Sequence, residues 1–151
     1  SIFDYVLLQY AGGTDASISA TGASVSVLHS TIQWSNTDGL RWLNGAGGSI
    51  EGNTITNNVR YGISLSGISV PNVVSNTFTH NRSYPIYMEG SSLAYVSGNT
   101  AYGNAYNGIG VYGTLTNGTW YANLPYIAVD DPDVSDDVRR YEATVQRRRA
   151  P

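Results

Sequence analysis

The sequence has no cysteine and no lysine; all eight of its cations are arginines. Without cysteine there is no disulfide framework and no thiolate metal site, although the redox compartment stays open. Charged residues make up 13% of the chain, against about a quarter in ordinary globular domains. The net charge of −3 gives no support for a nucleic-acid surface. No apolar run is long enough to span a bilayer, and the chain does not open on a signal peptide. No heptad or sustained helical stripe runs through the chain from Gly48 to Gly113, which disfavours a helical solenoid. A length of 151 residues fits one domain.

What the chain does have is twelve tyrosines, abundant Asn, Thr, Ser and Gly, and a repeat. GSIEGNTITNNVRYGISLSG, SVPNVVSNTFTHNRSYPIYMEG and SLAYVSGNTAYGNAYNGIGVYG read in parallel. One spacing separates Asn53, Asn76 and Asn99, then Asn58, Asn81 and Asn104, then Ile63, Ile86 and Ile109. A fixed period in this range marks a repeat architecture. Four apolar columns share it. They are Val27, Ile50, Val73, Val96; Ile32, Ile55, Phe78, Ala101; Leu40, Ile63, Ile86, Ile109; and Trp42, Leu65, Met88, Val111. The last two columns lie two residues apart, the spacing of side chains on one face of a strand.

Such a period accommodates three short strands and three turns and is too short for a propeller blade. Each strand then pairs in parallel with its equivalent one repeat later, about 4.8 Å away, and like residues stack into a continuous core. Asparagine suits the corners, because its amide carries both donors and acceptors and can pass hydrogen bonds along a stack. Two ladders are expected: Asn53, Asn76, Asn99 and Asn58, Asn81, Asn104. A column of Gly67, Gly90 and Gly113, with Asn44 one period earlier, predicts a turn with positive φ.

The pattern G/S-N-T-x-T/Y-x-N followed by Y-x-I-x-L/M resembles the right-handed parallel β-helix repeat of the pectate-lyase-like superfamily. It is similar to repeats of periplasmic copper-maturation proteins and of large bacterial surface proteins. The resemblance covers roughly residues 1–113 and implies an all-β, single-domain parallel β-helix of about four to five coils. It says little of activity, because that superfamily holds lyases, hydrolases, tailspikes, adhesins and non-catalytic modules. An antiparallel sandwich with accidental periodicity is the alternative, and four columns in register disfavour it.

Residues 1–129 are expected to form the β-helix. Leu8 and Ile18 extend two columns back into a degenerate first coil, and Ser30 stands where later coils have Asn53 and Asn76. A parallel β-helix has open strand edges at its ends, which raises self-association into an oligomer or filament. After Gly113 the period breaks. In surface proteins of the resembled family a similar T-W…P-Y stretch starts a new section; here Trp120 and Leu124 to Val129 can instead lie over the last coil. Residues 130–151 shift in composition and read as a C-terminal cap helix or tail. Ser135 would be the N-cap of that helix, and the Arg147 to Arg149 run would lie at its C-terminus.

Chemistry is sparse. The coils from 24 to 113 contain only Asp38, Glu51 and Glu89 as acids. Glycosidases need a carboxylate pair, and calcium-dependent lyases need several acidic oxygens and a base. No catalytic residue, metal ligand or cofactor is therefore assigned. If the chain is an enzyme, a polysaccharide lyase or glycoside hydrolase is the class. His29 and His80 occupy different period positions and read as turn or surface histidines. The acidic run from Asp130 to Asp137 lacks the spacing of a calcium loop. The outward positions that alternate with the third and fourth columns are more informative. Arg41, Tyr87, Glu89 and Tyr112 form a candidate polysaccharide-binding face, extended by Tyr102 and Tyr106. Asn81 and Asn117 match the glycosylation sequon.

The reading is a non-catalytic structural or adhesive module, secreted or at the cell surface, capable of end-to-end self-assembly. Composition and the opening on a strand point to a processed secreted protein or a segment of a larger one. A glycan-binding module is the alternative.

Overall fold

The computed structural model describes residues 1–120 and 122–129. The expected cap helix or tail at 130–151 lies outside the described residues.

The chain winds as a coil of three strands per turn. The first coil carries β1 (Ile2–Asp4), β2 (Leu7–Gln9) and β3 (Ile18–Thr21). The second carries β4 (Ser26–Leu28), β5 (Thr31–Gln33) and β6 (Leu40–Leu43). The third has β7 (Ser49–Glu51), β8 (Thr54–Thr56) and β9 (Ile63–Leu65); the fourth has β10 (Asn72–Val74), β11 (Thr77–Thr79) and β12 (Ile86–Glu89). The fifth has β13 (Tyr95–Ser97), β14 (Thr100–Tyr102) and β15 (Ile109–Tyr112), and β16 (Tyr126–Ala128) follows. Equivalent strands pair in parallel into three sheets: β1-β4-β7-β10-β13, β2-β5-β8-β11-β14 and β3-β6-β9-β12-β15-β16.

The register is like upon like. Ile63 pairs with Leu40 on one side and Ile86 on the other. Val73 lies between Ile50 and Val96, and Phe78 between Ile55 and Ala101. These columns form one apolar core, with Trp42, Phe78 and most of the stacked aliphatics fully buried. The first coil extends three columns through Phe3, Leu8 and Ile18, which are only partly buried.

Both asparagine ladders are built. The Nδ2 of Asn53 donates to Asn76 Oδ1 (2.9 Å) and to the Val27 carbonyl of the preceding coil (2.8 Å). Asn76 repeats this with Asn99 and Ile50. In the second ladder Asn58 donates to Asn81, and Asn81 to Asn104. An amide such as that of Asn53 or Asn76 therefore ties three coils, and all six side chains are buried. The ladders begin at the backbone N–H of Ser30 and Ser35. They end on Asn123 and Asn107, whose Oδ1 atoms accept from Asn99 N and Asn104 Nδ2.

The corners differ from expectation. The bend after each strand of the first two sheets is often a single left-handed residue, and several are bulky: Tyr5 and His29 in one file, Tyr10, Trp34 and His80 in the other. A left-handed conformation costs an L-residue roughly 1–2 kcal/mol, so the flanking parallel ladders must hold it. Asn44, Gly67 and Gly113 have the expected positive φ, but Gly90 does not. Gly90 is needed for space instead, since a Cβ there would lie 2.6 Å from the Thr114 carbonyl oxygen.

Beyond Gly113 the chain returns to the stack. Trp120 packs against the core, and β16 pairs with β15, so this segment does lie over the last coil. Tyr126 follows Asn123 by three positions, whereas Ile109 follows Asn99 by ten. The sixth turn thus omits the second-sheet strand and passes straight to the third sheet.

Candidate functional site

Strand alternation turns the residues between the third and fourth columns away from the core. Along one outward file β6, β9, β12 and β15 place Arg41, Ser64, Tyr87 and Gly110 in register. The neighbouring file pairs Glu89 with Tyr112. Tyr87 and Tyr112 are brought together, with ring centroids 4.8 Å apart and planes within 15°. Arg41 is not with them. It lies two coils from Tyr87, about 9.6 Å along the stack, and its Nη1 is on Asp15 Oδ1 at 2.9 Å. That contact, then the Ala16 N–H, holds the Asp15 carboxyl below its usual range. Glu89 turns an oxygen onto the backbone N–H of Gly67 (2.6 Å).

The turn between the second and third sheets adds three tyrosines to this face. Tyr106 is among the expected extensions; Tyr61 and Tyr84 are additions, missed because they precede the strands and alternation does not mark them. Tyr61 stacks on Tyr87 at 4.2 Å with planes 7° apart. Tyr84 stacks on Tyr106 at 4.6 Å and 18°. Tyr84 lies flat over Gly110, where a Cβ would fall 2.9–3.0 Å from its ring carbons. The result is a layered patch. Tyr84 is buried between the Gly110 backbone and Tyr106, and Tyr106 is the outermost ring at 52% exposure. Tyr102 does not join it; its ring meets His80 edge-on at the corner after the second sheet.

Charge enters through Arg60, whose guanidinium lies 5.0 Å from the Tyr61 centroid. Its Nε and Nη2 each donate to an oxygen of Asp38 at 2.7 Å, a fork geometry. The hydrogen bond to Asp38 raises the arginine further above its already high value. Asp38 is wholly buried and also accepts from Tyr61 N–H. This carboxylate thus fixes the base of the tyrosine patch.

The remaining titratable groups are dispersed. His29 contacts Asp4 at 2.9 Å and stacks with Tyr5; His80 sits at a corner two coils later. Among the described residues no three His, Asp or Glu gather as a metal site. The two sequon asparagines differ sharply. Asn81 is 1% exposed and its amide donates to Ile55 O and Asn104 Oδ1, so a glycan there would sever the second ladder. Asn117 is exposed.

Three parallel sheets, an in-register stack of like residues and two asparagine ladders define a parallel β-solenoid. Residues 8–124 match the family described as right handed beta helix region, and the chain belongs to that family. No curated protein and no solved structure matches the chain at a significant level.

Proposed function

We propose that this β-helix is a non-catalytic structural or adhesive module of the extracellular space or cell surface, associating through its first coil. The carrying observation is the state of that coil. Among the described residues, strands β1, β2 and β3 each have one neighbour, and Phe3, Leu8 and Ile18 end their columns only partly buried. Ile2, Leu7, Tyr5 and Tyr10 are 59–78% exposed around them. Unpaired strand edges with apolar side chains favour pairing with another chain. The buried asparagines of the later coils, by contrast, are engaged within the stack.

Sedimentation velocity over a rising concentration series tests this. Oligomers are expected, and Gln9→Pro weakens them. The Tyr10 N–H points inward to Gln33, so alternation puts the Gln9 N–H on the open edge, where proline removes a donor without breaking an internal backbone bond. Gln9→Ala is the control for the exposed Gln33 Nε2 to Gln9 Oε1 contact that both variants lose. A monomer at every concentration overturns the assembly reading.

A second reading is favoured by the layered tyrosines. Tyr106 offers an exposed ring backed by Tyr84, a surface on which a sugar ring can stack. In this reading the chain binds polysaccharide, and Tyr106 rather than Tyr87 or Tyr112 is the principal contact, because the latter two rings stack on each other. Glycan-array binding that is lost in Tyr106→Ala supports it; binding unchanged in that variant removes it.

A further inference from the structure

We propose that Tyr61 and Tyr87 form an oxidative staple: loss of one electron from each ring joins them carbon to carbon as dityrosine and locks the third coil to the fourth. The geometry is that of a coupling pair. Their centroids are 4.2 Å apart, the closest stack among the described aromatic pairs, and their planes differ by 7°. They come from adjacent coils, so the bond would close a loop across the stack. Both side chains are half-buried, which leaves a small oxidant access.

Composition directs oxidation to aromatic rings. There is no cysteine, and the single methionine, Met88, is 1% exposed. The usual soft sinks for oxidising equivalents are therefore absent or shielded. Trp34 and the exposed Tyr5, Tyr10, Tyr95, Tyr102 and Tyr106 compete for the oxidant, so it is the short ring separation, not exposure, that selects the Tyr61–Tyr87 pair.

The step balances with a one-electron oxidant of the peroxidase or photogenerated metal-complex class. Each phenol gives one electron to the oxidant and its hydroxyl proton to water. The two phenoxyl radicals couple at carbons ortho to oxygen, and the hydrogens on those carbons move to the oxygens. Two phenols are restored, and the protein is lighter by two hydrogens.

Tryptic mapping reads the link directly. With no lysine, cleavage at Arg60, Arg82 and Arg139 places Tyr61 in peptide 61–82 and Tyr87 in peptide 83–139. Brief oxidation of dilute protein with photogenerated ruthenium(III) should give monomer containing these peptides joined, two hydrogens below their summed mass and with dityrosine fluorescence. Tyr61→Phe and Tyr87→Phe should each lower the joined species at least tenfold, Tyr106→Phe should leave it, and denaturant during oxidation should abolish it. The proposal fails if native monomer yields no joined peptide, or if the joined peptide persists in denaturant. It also fails if the species persists in Tyr87→Phe, which would assign it to the wider Tyr61–Tyr84 pair (6.4 Å, 42°). The staple depends on ring geometry and stands apart from the functional reading above.

Discussion

Gly110 lies directly beneath the ring of Tyr84, with its missing side chain as the space the ring occupies. The file that presents Tyr87 on the preceding coil therefore presents bare backbone on the next, and a turn residue fills the gap. Gly110→Ala should force Tyr84 off its seat and cost about 1–3 kcal/mol, the usual range for overpacking. Urea denaturation gives the stability, and near-ultraviolet circular dichroism reports the loss of the Tyr84–Tyr106 stack. Gly13→Ala is the control: a Cβ there meets nothing within 4 Å, and the change should be nearly neutral.

The ladders should be most sensitive at their centres. In Asn76→Ala the Asn53 N–H and one Asn53 amide donor lose their partner inside the protein, and the Ile50 carbonyl loses its side-chain donor. At roughly 1–3 kcal/mol for a stranded buried group, with relaxation recovering part, a loss of about 3 kcal/mol is expected. Asn107→Ala removes the exposed end of the second ladder and should cost about 1 kcal/mol. Equal losses at the two sites, measured by equilibrium unfolding, would contradict a ladder that ties three coils at each central rung.

Arg60 and Asp38 should respond unequally. Arg60→Ala leaves a wholly buried carboxylate with one backbone donor, and about 3 kcal/mol is expected. Asp38→Asn leaves the half-exposed guanidinium free to take water and should cost nearer to about 1 kcal/mol. Equilibrium unfolding of the two variants ranks them, and the reverse order would mean that the fork does not anchor the turn.

Acid should remove one small contribution. Arg41, then the Ala16 N–H, lowers the Asp15 carboxyl in the folded chain from its reference value of 3.8. The folded value lies below the unfolded one, so the stabilisation is complete above about pH 4. It fades as pH falls through the folded value. The pair is exposed, so the effect should stay under about 1 kcal/mol. Unfolding at a series of acidic pH values should show a flatter acid limb in Asp15→Asn than in the parent.

The stack itself was legible because its columns keep an unbroken spacing from Val27 to Val111, and because apolar and amide residues repeat together. Where one residue serves geometry rather than chemistry, the letters mislead. Gly90 and Gly67 occupy one column, yet one is there for space and the other for a left-handed turn. Bulky left-handed corners such as His29 and Trp34 have no propensity signal, since the neighbouring ladders impose them. The shortened sixth turn escaped because a step of three positions replaces a step of ten between ladder and strand. The candidate face was half legible. Alternation found Tyr87 and Tyr112, but Tyr61 and Tyr84 reach it from a turn, and Arg41 was placed beside rings that lie two coils or more away.

The most direct measurement is of the asparagine side-chain amides by nuclear magnetic resonance. If successive coils lie in register, the amide groups of Asn53, Asn76, Asn58 and Asn81 should exchange slowly with solvent. Each should also show a cross-peak to its equivalent asparagine in the next coil. Rapid exchange of these groups, or contacts to asparagines at any other position of the repeat, would contradict the fold on which the functional and oxidative proposals are built.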